Sequence, residues 1–241
     1  MALSLVGVVT AGAAWYFLIR ENAELASDPP QIPAALLNAT ATPTSAASTA
    51  GSTATTAPAP SAAVAYQVKS DLSEAAYFVD EELASVGIPS TAKGATKEVS
   101  GTLYLTGDGT ALAADQTSSF TVQLHNLTSD KSMRDQRVQQ ALETPRYPTA
   151  TFTITNAGGY NPTIAEGQAQ TLQLSGNLRL HDVTKPVTWE VKAFRQGNVI
   201  SSLATVTVKF SDFNITPPTF QGLLSISDQA TLQVQLIAQS A

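Results

Sequence analysis

Residues 174–190 read LSGNLRLHDVTKPVTWE, and their alternation of side chains is the strongest constraint on what this chain can fold into. Leu174, Gly176, Leu178 and Leu180 share one parity, while Ser175, Asn177 and Arg179 share the other. After a polar break the alternation resumes, with Val187, Trp189 and Val191 opposite Thr188, Glu190 and Lys192. A period of two belongs to a strand with one apolar and one wet face. The break at residues 181–186 (HDVTKP) is expected to be a polar turn closed by Pro186, making the two strands a hairpin. Repeated around a ring, such hairpins turn the apolar parity toward a closed interior.

The chain on either side supplies the repeats. Residues 66–69 and 75–83 are expected as strands, although Asp80, Glu81 and Glu82 blur the second and suggest a solvated edge. Residues 86–97, with Gly87, Pro89 and Gly94, are expected as a loop. Residues 98–106 alternate, Gly107-Asp108-Gly109 is a hairpin turn signal, and Phe120, Val122 and Leu124 share an inner parity. In residues 132–142 the spacing of Val138, Ala141 and Leu142 predicts one short helix, which Pro145 and Pro148 stop. Strands are then predicted over 149–155, 171–181, 187–195, 199–210 and 229–238, with a turn at Gly197-Asn198. With no alternating βαβ rhythm, this order argues for an all-β antiparallel barrel or sandwich over residues 64–241. The domain is large for an immunoglobulin-like sandwich and has no cysteine; a closed barrel of about eight strands is the size that holds one small apolar ligand.

Upstream of residue 64 the composition changes twice. Residues 3–19 form a run without a charged side chain, ending in Trp15-Tyr16-Phe17 before Arg20-Glu21. Such a run meets the roughly 17-residue lower limit for a membrane span, with aromatics at the interface. A cleaved signal sequence is the rival, but there is no basic n-region and Ala23-Glu24-Leu25-Ala26 is a poor cleavage site, so a transmembrane anchor over 1–20 is preferred. Residues 21–63 are expected as a disordered linker: from 38 to 63 every residue is Ala, Thr, Ser or Pro except Asn38 and Gly51. A tether of this kind favours an extracytoplasmic domain on a single-pass cell-membrane protein.

Little in the chain points to reaction chemistry. Thirteen basic residues against 19 acidic ones, scattered rather than clustered, argue against a nucleic-acid surface. The absence of cysteine removes disulfides, thiolate nucleophiles and zinc-thiolate sites. His125 and His181 lie in no nucleophile elbow, and no H-x-H or H-x-x-x-H spacing marks a metal. Neither an enzyme nor a cofactor is expected, and His181 is better read as capping a hairpin turn. Three N-x-T matches, at Asn38, Asn126 and Asn214, matter only in a glycosylating pathway.

Several segments carry a resemblance. GNLRLHDVTKPVTWEV is similar to the G-x-L-x-[IL]-H-G-V-T-[KR]-P-V signature of the YceI-like family, which binds lipids and polyisoprenoids. In the family's order upstream come Arg134-Asp135 and the Tyr147-Pro148…Phe152 stretch, and downstream Ser211-Asp212-Phe213-Asn214-Ile215 resembles S-D-F-G-I. The resemblance implies a lipocalin-like barrel whose interior holds a long apolar ligand, lined by the inner-parity residues Phe120, Leu124, Phe152, Ile154, Leu172, Leu174, Leu178, Trp189, Val191, Val206 and Val208. The same residues would also fill a solid core, which leaves a partner-binding surface domain as the alternative. The sequence departs from the family at Leu72 (His-Ser in the family), at Gln139–Arg146, which lacks the usual aromatics, and at Asp182 and Asn214 (both glycine). Asp182 and Asn214 are residues tolerant of a left-handed backbone, which implies that the fold is kept.

Overall fold

The computed structural model describes residues 23–37, 62–83, 88–217 and 224–240. The expected transmembrane anchor, and residues 38–61 of the expected linker, lie outside the described residues. Among the described residues no helix is long and apolar enough to cross a membrane.

Among the described residues eleven strands form one antiparallel sheet: β1 (Val64–Val68), β2 (Glu74–Leu83), β3 (Ile88–Thr96), β4 (Val99–Leu105), β5 (Ser119–Gln123), β6 (Thr128–Ser129), β7 (Thr149–Gly158), β8 (Gln170–Leu180), β9 (Val183–Gln196), β10 (Val199–Lys209) and β11 (Leu224–Ser240). The first six are three broken staves. β1 and β2 pair with successive halves of β11, at Tyr66↔Ser240 and Glu74↔Gln235. β4 and β3 pair in turn with β1 and β2, and β5 and β6 with β4 and β3. The β1–β11 pairing closes the sheet, so the staves make an up-and-down barrel of eight. The sequence expectation of an antiparallel barrel of about eight strands with one short helix is met. The helix, Ser132–Ala141, lies between β6 and β7. Val138, Ala141 and Leu142 pack against the main apolar cluster, as their spacing predicts.

At the break between β1 and β2, a 3₁₀ turn over Ser70–Leu72 interrupts the ladder. Buried Ser73 restores it: its Oγ donates to Lys69 O (2.8 Å) and accepts from Ile237 N (3.1 Å). A buried backbone N–H left without a partner would be costly, so this hydroxyl holds the stave together.

Four expectations are corrected. Residues 86–97 are not a loop, since 88–96 form β3, paired with β2 along its length. Among the described residues no strand pairs with the other edge of β3 at Pro89, because β6 reaches only Gly94 and Ala95, so the missing N–H costs no ladder bond. Gly94 lies beneath Tyr77: a Cβ there would stand 2.3 Å from Tyr77 Cε1. The β8–β9 turn is two residues, His181-Asp182, rather than 181–186. Pro186 lies inside β9 opposite Asn177, on a segment that β10, paired only from Glu190 onward, leaves open. The residue with positive φ in that turn is His181 (φ 57°), not Asp182, whereas Asn214 is left-handed as expected (φ 56°). Finally, residues 23–37 of the expected disordered linker are a strap on the barrel's outer wall. Its backbone is held by Gln233, Ser201 and Thr91, partners that composition does not reveal.

Candidate functional site

The staves are long, and several of their inner positions hold alanine, so the ring does not fill. Ala75, Ala92, Ala150, Ala193, Ala204 and Ala230 all face inward, leaving a cavity of about 1400 Å³. That exceeds the roughly 300–1,000 Å³ of a pocket for a drug-sized molecule. The solid core allowed by the sequence pattern is thereby excluded.

Ten of the eleven residues named from sequence line this cavity; Val206 packs against the same apolar cluster without forming part of the wall. Phe120 and Phe152 are directly opposed on β5 and β7. Trp189 is buried and tilted against Phe152, with ring centroids 5.8 Å apart. Gly176 lets the Phe152 ring approach the sheet: a Cβ there would meet Phe152 Cζ at 2.7 Å and Thr153 O at 2.2 Å.

The helix and the segment carrying Phe213 and Ile215 close one end of the barrel. Residues 110–116 and 160–166 line the other end, where Tyr160 Oη donates to Gly109 O at 2.7 Å.

Polar side chains line both ends of the cavity, among them Gln116, Asn161, Glu166 and Arg195 at the end away from the helix; the buried polar cluster at the helix end escapes the sequence reading. Asp80 and Glu82 are exposed, as a solvated edge would be, but Glu81 points inward and is buried. Its carboxylate accepts from Arg134 Nε and Nη2, both at 3.2 Å. Arg134 also pairs with Asp130. Burial opposes the Arg134 charge, but hydrogen bonds and charge from Glu81 and Asp130 outweigh it and hold the guanidinium pKa above its ordinary value. Asp135, its neighbour in the Arg-Asp motif, accepts from Ser129 N (2.8 Å) and Ser129 Oγ (2.6 Å) and so fixes the entry to the helix. Beside them Tyr77 lines the cavity, and burial pushes its phenol pKa up, keeping the hydroxyl protonated. No local signal pairs Glu81 with a residue 53 positions away. The inner residues of β11 (Ala230, Leu232, Val234 and Leu236) were legible by alternation and were missed.

Neither histidine lines the cavity. His181 is buried under the Tyr147 ring (centroids 4.2 Å apart), with Nδ1 3.1 Å from Asp182 Oδ1 and Nε2 3.5 Å from Glu143 Oε1. This packing holds a left-handed residue in a tight turn, a structural role. Among the described residues, no three His, Cys, Asp or Glu side chains are grouped to hold a metal ion.

Comparison with known proteins agrees with this geometry. The model of the YceI-like domain family matches residues 66–238. The proteins called YceI in Salmonella arizonae and Salmonella paratyphi B are each 31% identical over 162 residues, covering 64% of this chain and 78% of theirs. Among solved structures, a polyisoprenoid binding domain from Saccharophagus degradans superposes with a TM-score of 0.58 at 17% identity, over 74% of this chain and 99% of that one. BcnA of Burkholderia cenocepacia superposes with a TM-score of 0.54 at 18% identity, over 71% of this chain and 99% of that one.

Proposed function

Because the chain belongs to the YceI-like family, we propose that it is a binding protein for a long apolar molecule, a polyisoprenoid or a fatty-acid-like lipid, held inside the barrel. The observation that carries this reading is the cavity of about 1400 Å³, walled by aliphatic and aromatic side chains. Binding is by desolvation. Each buried CH₂ contributes about 0.8 kcal/mol, so about sixteen supply roughly 13 kcal/mol, enough for micromolar affinity once ordering costs of about 4 kcal/mol are subtracted. The Glu81–Arg134 pair and the Tyr77 hydroxyl give one end of the cavity the few polar groups that orient such a ligand. In this reading residues 3–19 anchor the protein in the cell membrane, and the barrel lies on the extracytoplasmic side, within reach of the bilayer that holds its ligand. The role asks for no catalysis and no cofactor.

The test is native mass spectrometry of the full chain purified from its membranes, with organic extraction of the same sample. A bound apolar species of defined mass is expected, together with uptake of added long-chain lipid that changes the emission of Trp189. A clean apo mass with no uptake would refute the binding role.

A further inference from the structure

Three pieces precede the barrel in order: the apolar run 3–19, residues 23–37, and the Ala/Thr/Ser/Pro stretch 38–63. Residues 23–37 lie along the outer wall and are anchored at successive levels. Ala23 N donates to Thr91 O on β3 (3.2 Å). Ala26 exchanges two hydrogen bonds with the Gln233 amide on β11, N to Oε1 (2.8 Å) and Nε2 to O (3.0 Å). Pro30 O accepts from Ser201 Oγ on β10 (2.6 Å), and Lys192 of β9 pairs with Asp28.

These contacts are built into the wall. On β10 and β11 residues 200, 202, 204, 232, 234 and 236 face the cavity, so 201, 203, 233 and 237 face outward. Outward residues of a bare barrel are exposed. Here Ser201 is 0%, Ile237 1%, Gln233 5% and Leu203 6% exposed.

The strap also has a direction. Thr91 pairs with Asp80 near the far end of β2, and Gln233 pairs with Ala76 further down. Ser201 pairs with Ile237, close to the β9–β10 turn at the opposite end of the barrel. Ala23 shares a shallow groove with Ser129 and Asp130, directly before the helix. The chain therefore meets the wall at the helix end and runs away from it. Only residues 20–22 separate the apolar run from Ala23, a reach of roughly 14 Å when fully extended. At that same end Met133 lines the cavity and is 59% exposed.

We propose that the strap, rather than the low-complexity stretch, couples the barrel to the bilayer, and that it sets the helix end, with Met133 at the cavity's lip, against the lipid surface. Residues 38–61 follow the strap in sequence and so contribute nothing to the barrel's height above the membrane. This rests on the membrane anchor in the proposed function. The ligand path that follows runs from bilayer to cavity through the helix end, without a crossing of open water.

The chain has no cysteine, so Ser132→Cys at the helix end and Asp115→Cys in the loop at the other end each accept a single fluorophore. The full chain is reconstituted into phosphatidylcholine vesicles carrying an acceptor-labelled lipid, and energy transfer to the bilayer is read. Expected are higher transfer from position 132 than from 115, no change when residues 42–57 are duplicated, and loss of the difference when a 16-residue Gly/Ser insert follows Asn22. Lower transfer after duplication of 42–57, or higher transfer from 115 than from 132, overturns the proposal while leaving the anchor standing. Failure of the full chain to float with the vesicles overturns the anchor and the proposal with it.

Discussion

Glu81→Ala removes one half of a buried ion pair and leaves the other half in place. The Glu81 and Arg134 side chains are 7% and 12% exposed, and two N–H···O contacts of 3.2 Å join them. Breaking a buried pair from one side costs about 3–5 kcal/mol, because the remaining charge keeps its desolvation penalty. Asp130, 48% exposed, stays beside Arg134 and offsets part of that, so a loss of about 3 kcal/mol is expected. For a domain of this size it corresponds to a fall in Tm of roughly 6–12 °C. Urea unfolding followed by far-UV circular dichroism reads the change as a lower midpoint with an unchanged slope. The double variant Glu81→Leu with Arg134→Met replaces both charges by apolar groups of similar length and should recover most of the loss. A loss below about 1 kcal/mol for the single variant, or a double variant no more stable than the single one, refutes the assignment of this pair as a buried, mutually compensating unit.

Gly176→Ala places a methyl group 2.2 Å from Thr153 O and 2.7 Å from Phe152 Cζ, and overpacking of this kind should cost about 1–3 kcal/mol in the same assay. Ala204→Phe projects a ring into the cavity; uptake of a fluorescent long-chain fatty acid should weaken roughly tenfold as about two ligand methylenes lose their place, with stability changed by less than about 1 kcal/mol. Asp228 accepts from Ser211 Oγ (2.6 Å) and Ser211 N (3.0 Å), and these bonds hold its pKa below the usual carboxylate value. A depressed folded-state pKa means the contribution is complete above the unfolded value of about 3.9 and is lost as pH falls through the folded one. Asp228→Asn should therefore lower the thermal midpoint at pH 7, and the gap from the parent should narrow in acid, as the pH falls below the unfolded value and through the folded one. An equal gap at pH 7 and in acid would show that the charge of Asp228 plays no part.

Local pattern was enough wherever a residue's environment repeats every second position. The alternation in 174–180 and 187–191, and its repeats in the other predicted strands, identified strands, inner faces and ten residues of the cavity wall, because a strand side chain's facing depends only on its parity. Pattern failed where a breaker residue is tolerated for a non-local reason. Gly94 and Pro89 look like a loop, yet the first serves the Tyr77 ring on the neighbouring stave and the second occupies an open edge.

The sequence by itself thus determined the class of fold, the helix between β6 and β7, and which parity faces inward. Only the tertiary structure decided that the barrel is hollow, since enclosed volume depends on how eight staves close and not on any one of them. It alone placed Glu81 against Arg134 and seated residues 23–37 on Gln233 and Ser201. Those partners lie from 53 to 207 positions apart, and no local periodicity carries information across such distances.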